Sequence, residues 1–236
     1  MSDVGQNERA TQNRIVKLIS KKLGYKYLGD FQDRANNQNI EKEILKKWLL
    51  GRGVSETLYT KIERQIDQAL ALGGGRKLYE ANKEFYTLLR YGVKDKENPN
   101  DKNKTVWLID WKNIDNNEFA IAEEVTIKGQ NTKRPDIVLY VNGIALAVLE
   151  LKRSSVGVTE GIRQNLDNQK ATFIRDFFTT IQLVMAGNDS QGLRYGTIET
   201  TEKYYLGWKE ENPDYNSKID TRDKKYEKNL KKKKIK

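Results

Sequence analysis

Two apolar runs, 137–141 and 144–151, meet across Asn142-Gly143, and this pairing constrains the fold more tightly than any other stretch of the chain. Short runs rich in Val, Ile, Leu and Tyr favour strands, and Asn-Gly between them is the strongest local hairpin signal. Further β-rich runs lie at 106–111, 119–127, 181–186 and 193–197, and a helical pattern spans 159–176. Four strands, a helix and then more strands predict an α/β fold, a mixed sheet flanked by helices.

The first ninety residues read differently. Ile15, Leu18 and Ile19, then Ile40, Ile44, Leu45, Trp48 and Leu49, then Leu58, Ile62, Ile66 and Leu70 fall at helical spacing. Ser55 with Glu56 starts the third of these helices, Gly73 to Gly75 stop it, and a fourth is expected over 78–89. Residues 92–104 are polar and charged and carry Pro99, so they read as a surface loop. The expected organisation is a helical region at 1–91 packed on the core, a loop at 92–104, a catalytic core at 105–209 and a basic tail at 210–236.

The 236-residue chain has no cysteine and no histidine. That excludes a Ser-His-Asp triad, cysteine nucleophiles, and zinc held by imidazole or thiolate. Oxygen chemistry remains, with Asp and Glu holding a hard cation such as Mg²⁺ and Lys assisting. The net charge of +10 is a poor guide to a partner. Eight Lys and one Glu between Lys224 and Lys236 supply +7 of it, leaving about +3, an ordinary surface balance. No apolar run approaches the roughly 18 residues that would span a bilayer, and the N-terminus lacks a signal-peptide core, so a cytoplasmic address is expected. The triple glycine does not belong to a GxxxxGK[ST] phosphate loop.

The chemistry concentrates on Asp136, Glu150 and Lys152. Glu150 and Lys152 are two residues apart at the end of an apolar strand and share a face. Charges so placed are costly unless they pair or bind a cation, and Asp136 at the mouth of the preceding strand supplies a second carboxylate. A Glu-x-Lys alone is also what a plain surface ion pair looks like. Geometry offers a test. A simple two-residue turn at Asn142-Gly143 sets Asp136 opposite Leu149, leaving Glu150 on the other face. A shared site therefore requires a one-residue offset, expected as a three-residue loop with a G1 bulge or as a bulge or kink near Pro135.

Together, WLIDW, NNEF at 116–119, RPDIVLYVNGIALAVLELK, the helix holding Gln164, LRYGT and GWK at 207–209 resemble, in that order, the N-terminal nuclease region of type I restriction R subunits, of the PD-(D/E)xK superfamily. The resemblance implies a restriction-endonuclease-like core, with Asp136 and Glu150 ligating Mg²⁺ and Lys152 orienting water and steadying charge on the phosphate. It implies a duplex DNA substrate cut without its own sequence reading, M and S subunits as partners of the whole R subunit, and ATP used only by motor domains beyond this stretch. Gln164 matches the start of the family's Gln-x-x-x-Tyr element, but Asn168 stands at the tyrosine position. Glu8 resembles an auxiliary carboxylate that related nucleases carry on their first helix. A non-catalytic DNA-holding or subunit-docking module on the same fold is the alternative. Tyr25, Tyr27, Trp48, Trp107 and Trp111 read as packing residues.

Overall fold

The computed structural model describes residues 8–209, so the expected basic tail lies outside the described residues. The chain opens with α1 (Glu8–Lys17), which loosens into a π-helical turn over Leu18–Lys22, and β1 (Lys26–Asp30) follows. Three helices come next: α2 (Lys42–Gly51), α3 (Glu56–Leu70) and α4 (Leu78–Tyr91). A small hairpin, β2 (Val93–Asp95) and β3 (Lys104–Val106), leads to β4 (Phe119–Glu123), β5 (Ile137–Val141) and β6 (Ile144–Leu151). Then come α5 (Val158–Asn168), β7 (Leu183–Asn188), β8 (Gly192–Gly196) and the two-residue β9 (Leu206–Gly207). The described residues up to Leu206 form one compact unit.

Among the described residues the main sheet has seven strands in the order β1-β4-β5-β6-β7-β8-β9, with β1 and β4 parallel, β6 and β7 parallel, and the other registered pairs antiparallel. This is the α/β class with a mixed sheet flanked by helices that the patterning predicts. One face carries α5 and a core of Val138, Tyr140, Val148, Ile162, Phe178 and Val184. On the other face Ile15, Val16 and Ile19 pack against Ile121, Ile137 and Leu149. A third core joins α2, α3 and α4 to the hairpin turn through Leu45, Leu49, Ile62, Phe85, Leu108 and Ile144.

Several boundaries depart from the sequence reading for physical reasons. The region at 1–91 is not all helical: β1 is the edge strand of the main sheet, and its run of exposed and half-exposed residues carries no apolar alternation to reveal it. The expected loop at 92–104 holds β2 and the start of β3, a short pair whose other residues are polar but whose end pair, Val93 opposite Val106, is buried in the core of the helical region. From Trp107 to Trp111 the chain is irregular because Asp110 turns inward and accepts backbone N–H groups from Lys112 and Asn113. The helix after the hairpin ends at Asn168 instead of 176, and Leu18, expected in a core stripe, is 41% exposed where the π turn rotates it outward.

Candidate functional site

The β5–β6 hairpin places the site. Asn142 (φ 53°) and Gly143 (φ 82°) take the left-handed conformations of a two-residue type I′ turn. A β-carbon on Gly143 would lie 2.7 Å from the Glu41 carbonyl oxygen, so close packing as well as φ demands glycine there. Val141 pairs with Ile144 and Tyr140 with Ala145, but Leu139 then pairs with Ala147, leaving Leu146 as an extra residue on β6. The required offset is therefore present, though neither as a three-residue loop nor at Pro135. Beside the bulge, backbone groups of β6 bond outside β5: Ala145 N–H donates to the Asn39 carbonyl, and the Leu146 carbonyl accepts from Gln182 N–H.

After the bulge Ile137 pairs with Leu149, which brings Asp136 level with Glu150. Ala145 and Val148, three residues apart, consequently join the same core. The Asp136 carboxylate accepts the Leu151 backbone N–H at 2.6 Å, and Lys152 Nζ donates to Glu150 Oε1 at 2.8 Å. The structure thus gathers all three residues at one end of the sheet. Glu150 is 1% exposed, and its second oxygen, Oε2, is buried without a hydrogen-bond partner among the described residues.

Two helices close in on them. On α5, a β-carbon at Gly161 would meet Ala186 Cβ at 3.1 Å and Glu150 Cγ and Lys152 Cγ at 3.5 Å, so glycine lets the helix lie against both charged stems. On α1, buried Gln12 donates to the Asp136 carbonyl at 3.3 Å and to Glu123 Oε2 at 3.1 Å, bracing the strand that presents Asp136. Glu124 (φ 51°) kinks the chain after β4 and donates its N–H to the same carbonyl at 2.9 Å. Glu8 begins α1 with Oε1 at 3.9 Å from Lys152 Nζ, so the expected auxiliary carboxylate stands beside the three. Gln164 lies half-buried on α5 one turn after Gly161; among the described residues no hydrogen bond joins it to Asp136, Glu150 or Lys152. Asn168 is buried, and neither side-chain polar atom has a hydrogen-bond partner among the described residues.

Electrostatics follow burial. Desolvation pushes the Asp136 carboxyl up to about 6, against the Leu151 N–H and the Lys152 charge. Burial, with the neighbouring Asp136, pushes Glu150 up to about 8. Burial works against the Lys152 charge, but Glu150, Asp136 and Glu8 outweigh it and raise the amine further, so it stays protonated. Among the described residues no three Asp or Glu are close enough to hold a metal alone. The two raised carboxyls and the orphan Glu150 oxygen nevertheless fit a hard cation whose remaining ligands come from elsewhere. Reading the sequence missed Gln12, Gly161 and Leu146. Gln12 follows Glu8 by one helical turn, the single signal that could have found it.

Fold and site together define an α/β protein with an acidic pair and a lysine at the end of a mixed sheet. The chain matches the type I restriction enzyme R protein N terminus over residues 5–203, and it belongs to that family. It is similar to a putative type I restriction enzyme MjaIXP endonuclease subunit of Methanocaldococcus jannaschii, 30% identical over 132 residues, 53% of this chain and 13% of the relative. The HindI endonuclease subunit of Haemophilus influenzae is 29% identical over 135 residues, 54% of this chain and 12% of the relative. A Staphylococcus aureus endonuclease subunit, SauMSSORF170P, is 22% identical over 194 residues, 78% of this chain and 18% of the relative. The chain thus spans only a small fraction of these relatives' length. No helix among the described residues is long and apolar enough to cross a membrane.

Proposed function

We propose that this chain is the DNA-cutting part of a type I restriction R subunit, a Mg²⁺-dependent endodeoxyribonuclease without sequence specificity of its own. The observation that carries the reading is the register offset at Leu146, which sets Asp136 and Glu150 side by side with Lys152 at hand. Asp136 and Glu150 would hold Mg²⁺, leaving the Glu150 Oε2 orphan with a ligand to bind. When bound, the ion supplies an activated water and neutralises charge on the phosphate. Lys152 remains cationic, so it orients water and donates to a phosphate oxygen; it does not act as a base. Gln12 and Leu151 N–H hold Asp136 in place, and Glu150 keeps the Lys152 amine aimed.

Duplex DNA is the proposed substrate, and M and S subunits are the proposed partners of the longer protein, in which motor domains outside this chain use ATP. The test is nicking of supercoiled plasmid with Mg²⁺ or Mn²⁺ by the wild-type chain and by Lys152→Ala, each also within a full-length R subunit. Cleavage abolished by the substitution in a folded protein supports the reading. Cleavage unchanged by it in both settings assigns the activity elsewhere and leaves a docking module.

A further inference from the structure

The hairpin's opposite end carries a second surface that the hydrolytic site does not use. Ile144 to Glu150 spans about 20 Å at strand rise, so the two ends are well separated. Asn142 Nδ2 binds the Leu108 carbonyl at 2.9 Å and so anchors the irregular segment 107–112 to the turn. That segment presents Trp107 and Trp111, 45% and 44% exposed, although the sequence reading placed them in packing roles. Trp107 borders two adjoining cavities of about 390 and 270 Å³, both also lined by Arg52.

The charges beside these indoles are unequal. Asp110 is the acid lining the larger cavity, and it is fully engaged: its oxygens accept from Arg52, Asn116, Lys112 N–H and Asn113 N–H. Arg90 holds its guanidinium 5.7 Å from the Trp111 ring centre and 5.9 Å from that of Tyr91. Neither Arg90 nor Lys112 has a carboxylate within ion-pair distance among the described residues. Tyr79, Lys83, Tyr86 and Arg90 follow helical spacing along one flank of α4, aromatic alternating with cation for about 16 Å toward Trp111. Both tyrosines are about half exposed.

A partner for this surface must be flat and anionic in the same unit. An apolar side chain would cover the indoles and leave Arg90 and Lys112 without countercharge, whereas a nucleotide supplies a π-face and a phosphate together. Duplex DNA hides its base faces. We propose that this surface binds single-stranded nucleic acid, stacking bases on Trp107 and Trp111 and holding phosphates with Arg90, Lys112 and Lys83. The site stands on other residues than the hydrolytic reading, so either can fail alone.

The experiment titrates the whole chain, in chelator to prevent cleavage, with labelled oligothymidylate of about 12 nucleotides, its duplex with oligodeoxyadenylate, and thymidine monophosphate. Anisotropy and indole fluorescence are read. The single strand is expected to bind more tightly than the duplex and to quench indole emission, with Trp107→Ala or Lys112→Glu weakening it at least about tenfold and fivefold. Trp111→Phe, which keeps a ring, should weaken it less. Basic residues at 224–236 attract phosphate equally in every variant, so the ratio between folded variants is decisive. Single-strand binding unchanged by Trp107→Ala and Lys112→Glu overturns the proposal, as does equal affinity for duplex. Mononucleotide binding as tight as the strand also overturns it, and absence of binding to all three probes leaves a protein partner as occupant.

Discussion

The two ends of the β5–β6 hairpin handle buried polar groups in opposite ways. At the turn, Asn142 is fully buried yet satisfied: its Oδ1 accepts Glu118 N–H at 2.7 Å, and its Nδ2 donates to Leu108 O and Asn117 Oδ1, each at 2.9 Å. At the far end Glu150 is equally buried but keeps one oxygen without a partner among the described residues, and two carboxyls sit well above their ordinary range. One end is arranged for stability. The other holds unfavourable electrostatics, the kind of feature that the proposed hydrolytic reading would explain.

If that contrast is right, substitutions at the ends should separate activity from stability. The largest effect is expected from Lys152→Ala, which should lower Mg²⁺-dependent nicking at least about a hundredfold while circular dichroism and thermal midpoint stay near wild type. A variant that loses fold and activity together would break the distinction. At the turn, Gly143→Ala should do the reverse, costing about 3 kcal/mol or more in denaturant unfolding, because it forces a β-carbon into a left-handed conformation and against Glu41. Asn142→Ala should cost about 2 kcal/mol, since it strands the partners of three hydrogen bonds, two of them buried.

A change of pH sharpens the comparison without any substitution at the turn. The folded carboxyls lie near 6 and 8, above the ordinary values of 3.8 and 4.5, so the folded chain holds protons that the unfolded chain releases. Their stabilising linkage is therefore full below about pH 4 and lost as pH rises through 6 and then 8. With no histidine to titrate in that window, the thermal midpoint of the metal-free protein should fall between pH 5 and 8. Glu150→Gln should flatten the slope, and Mg²⁺ should restore stability to wild type but not to the variant. A midpoint that rises over this range would contradict the assigned shifts.

Much of this was legible in residue order. Apolar runs around Asn-Gly located the hairpin, helical spacing located α2, α3 and α4, and Ser55 caps α3 through its side chain as its position suggested. The strand β1 was not legible, because an edge strand of Lys, Tyr, Leu, Gly and Asp has no buried face to impose alternation. The fate of Trp107 and Trp111 was not legible either, since an indole reads the same in a core and on a surface.

The sequence by itself determined the chemical set: no imidazole or thiol, two carboxylates and an amine close in the chain, and a turn that forces them onto paired strands. Tertiary structure decided whether those groups meet. Strand pairing has a period of two, so a single extra residue at Leu146 reverses every later side chain, and that residue sits where neighbouring backbone groups bond the distant Asn39 and Gln182. Contacts between residues so far apart in the chain leave no local pattern for periodicity to reveal.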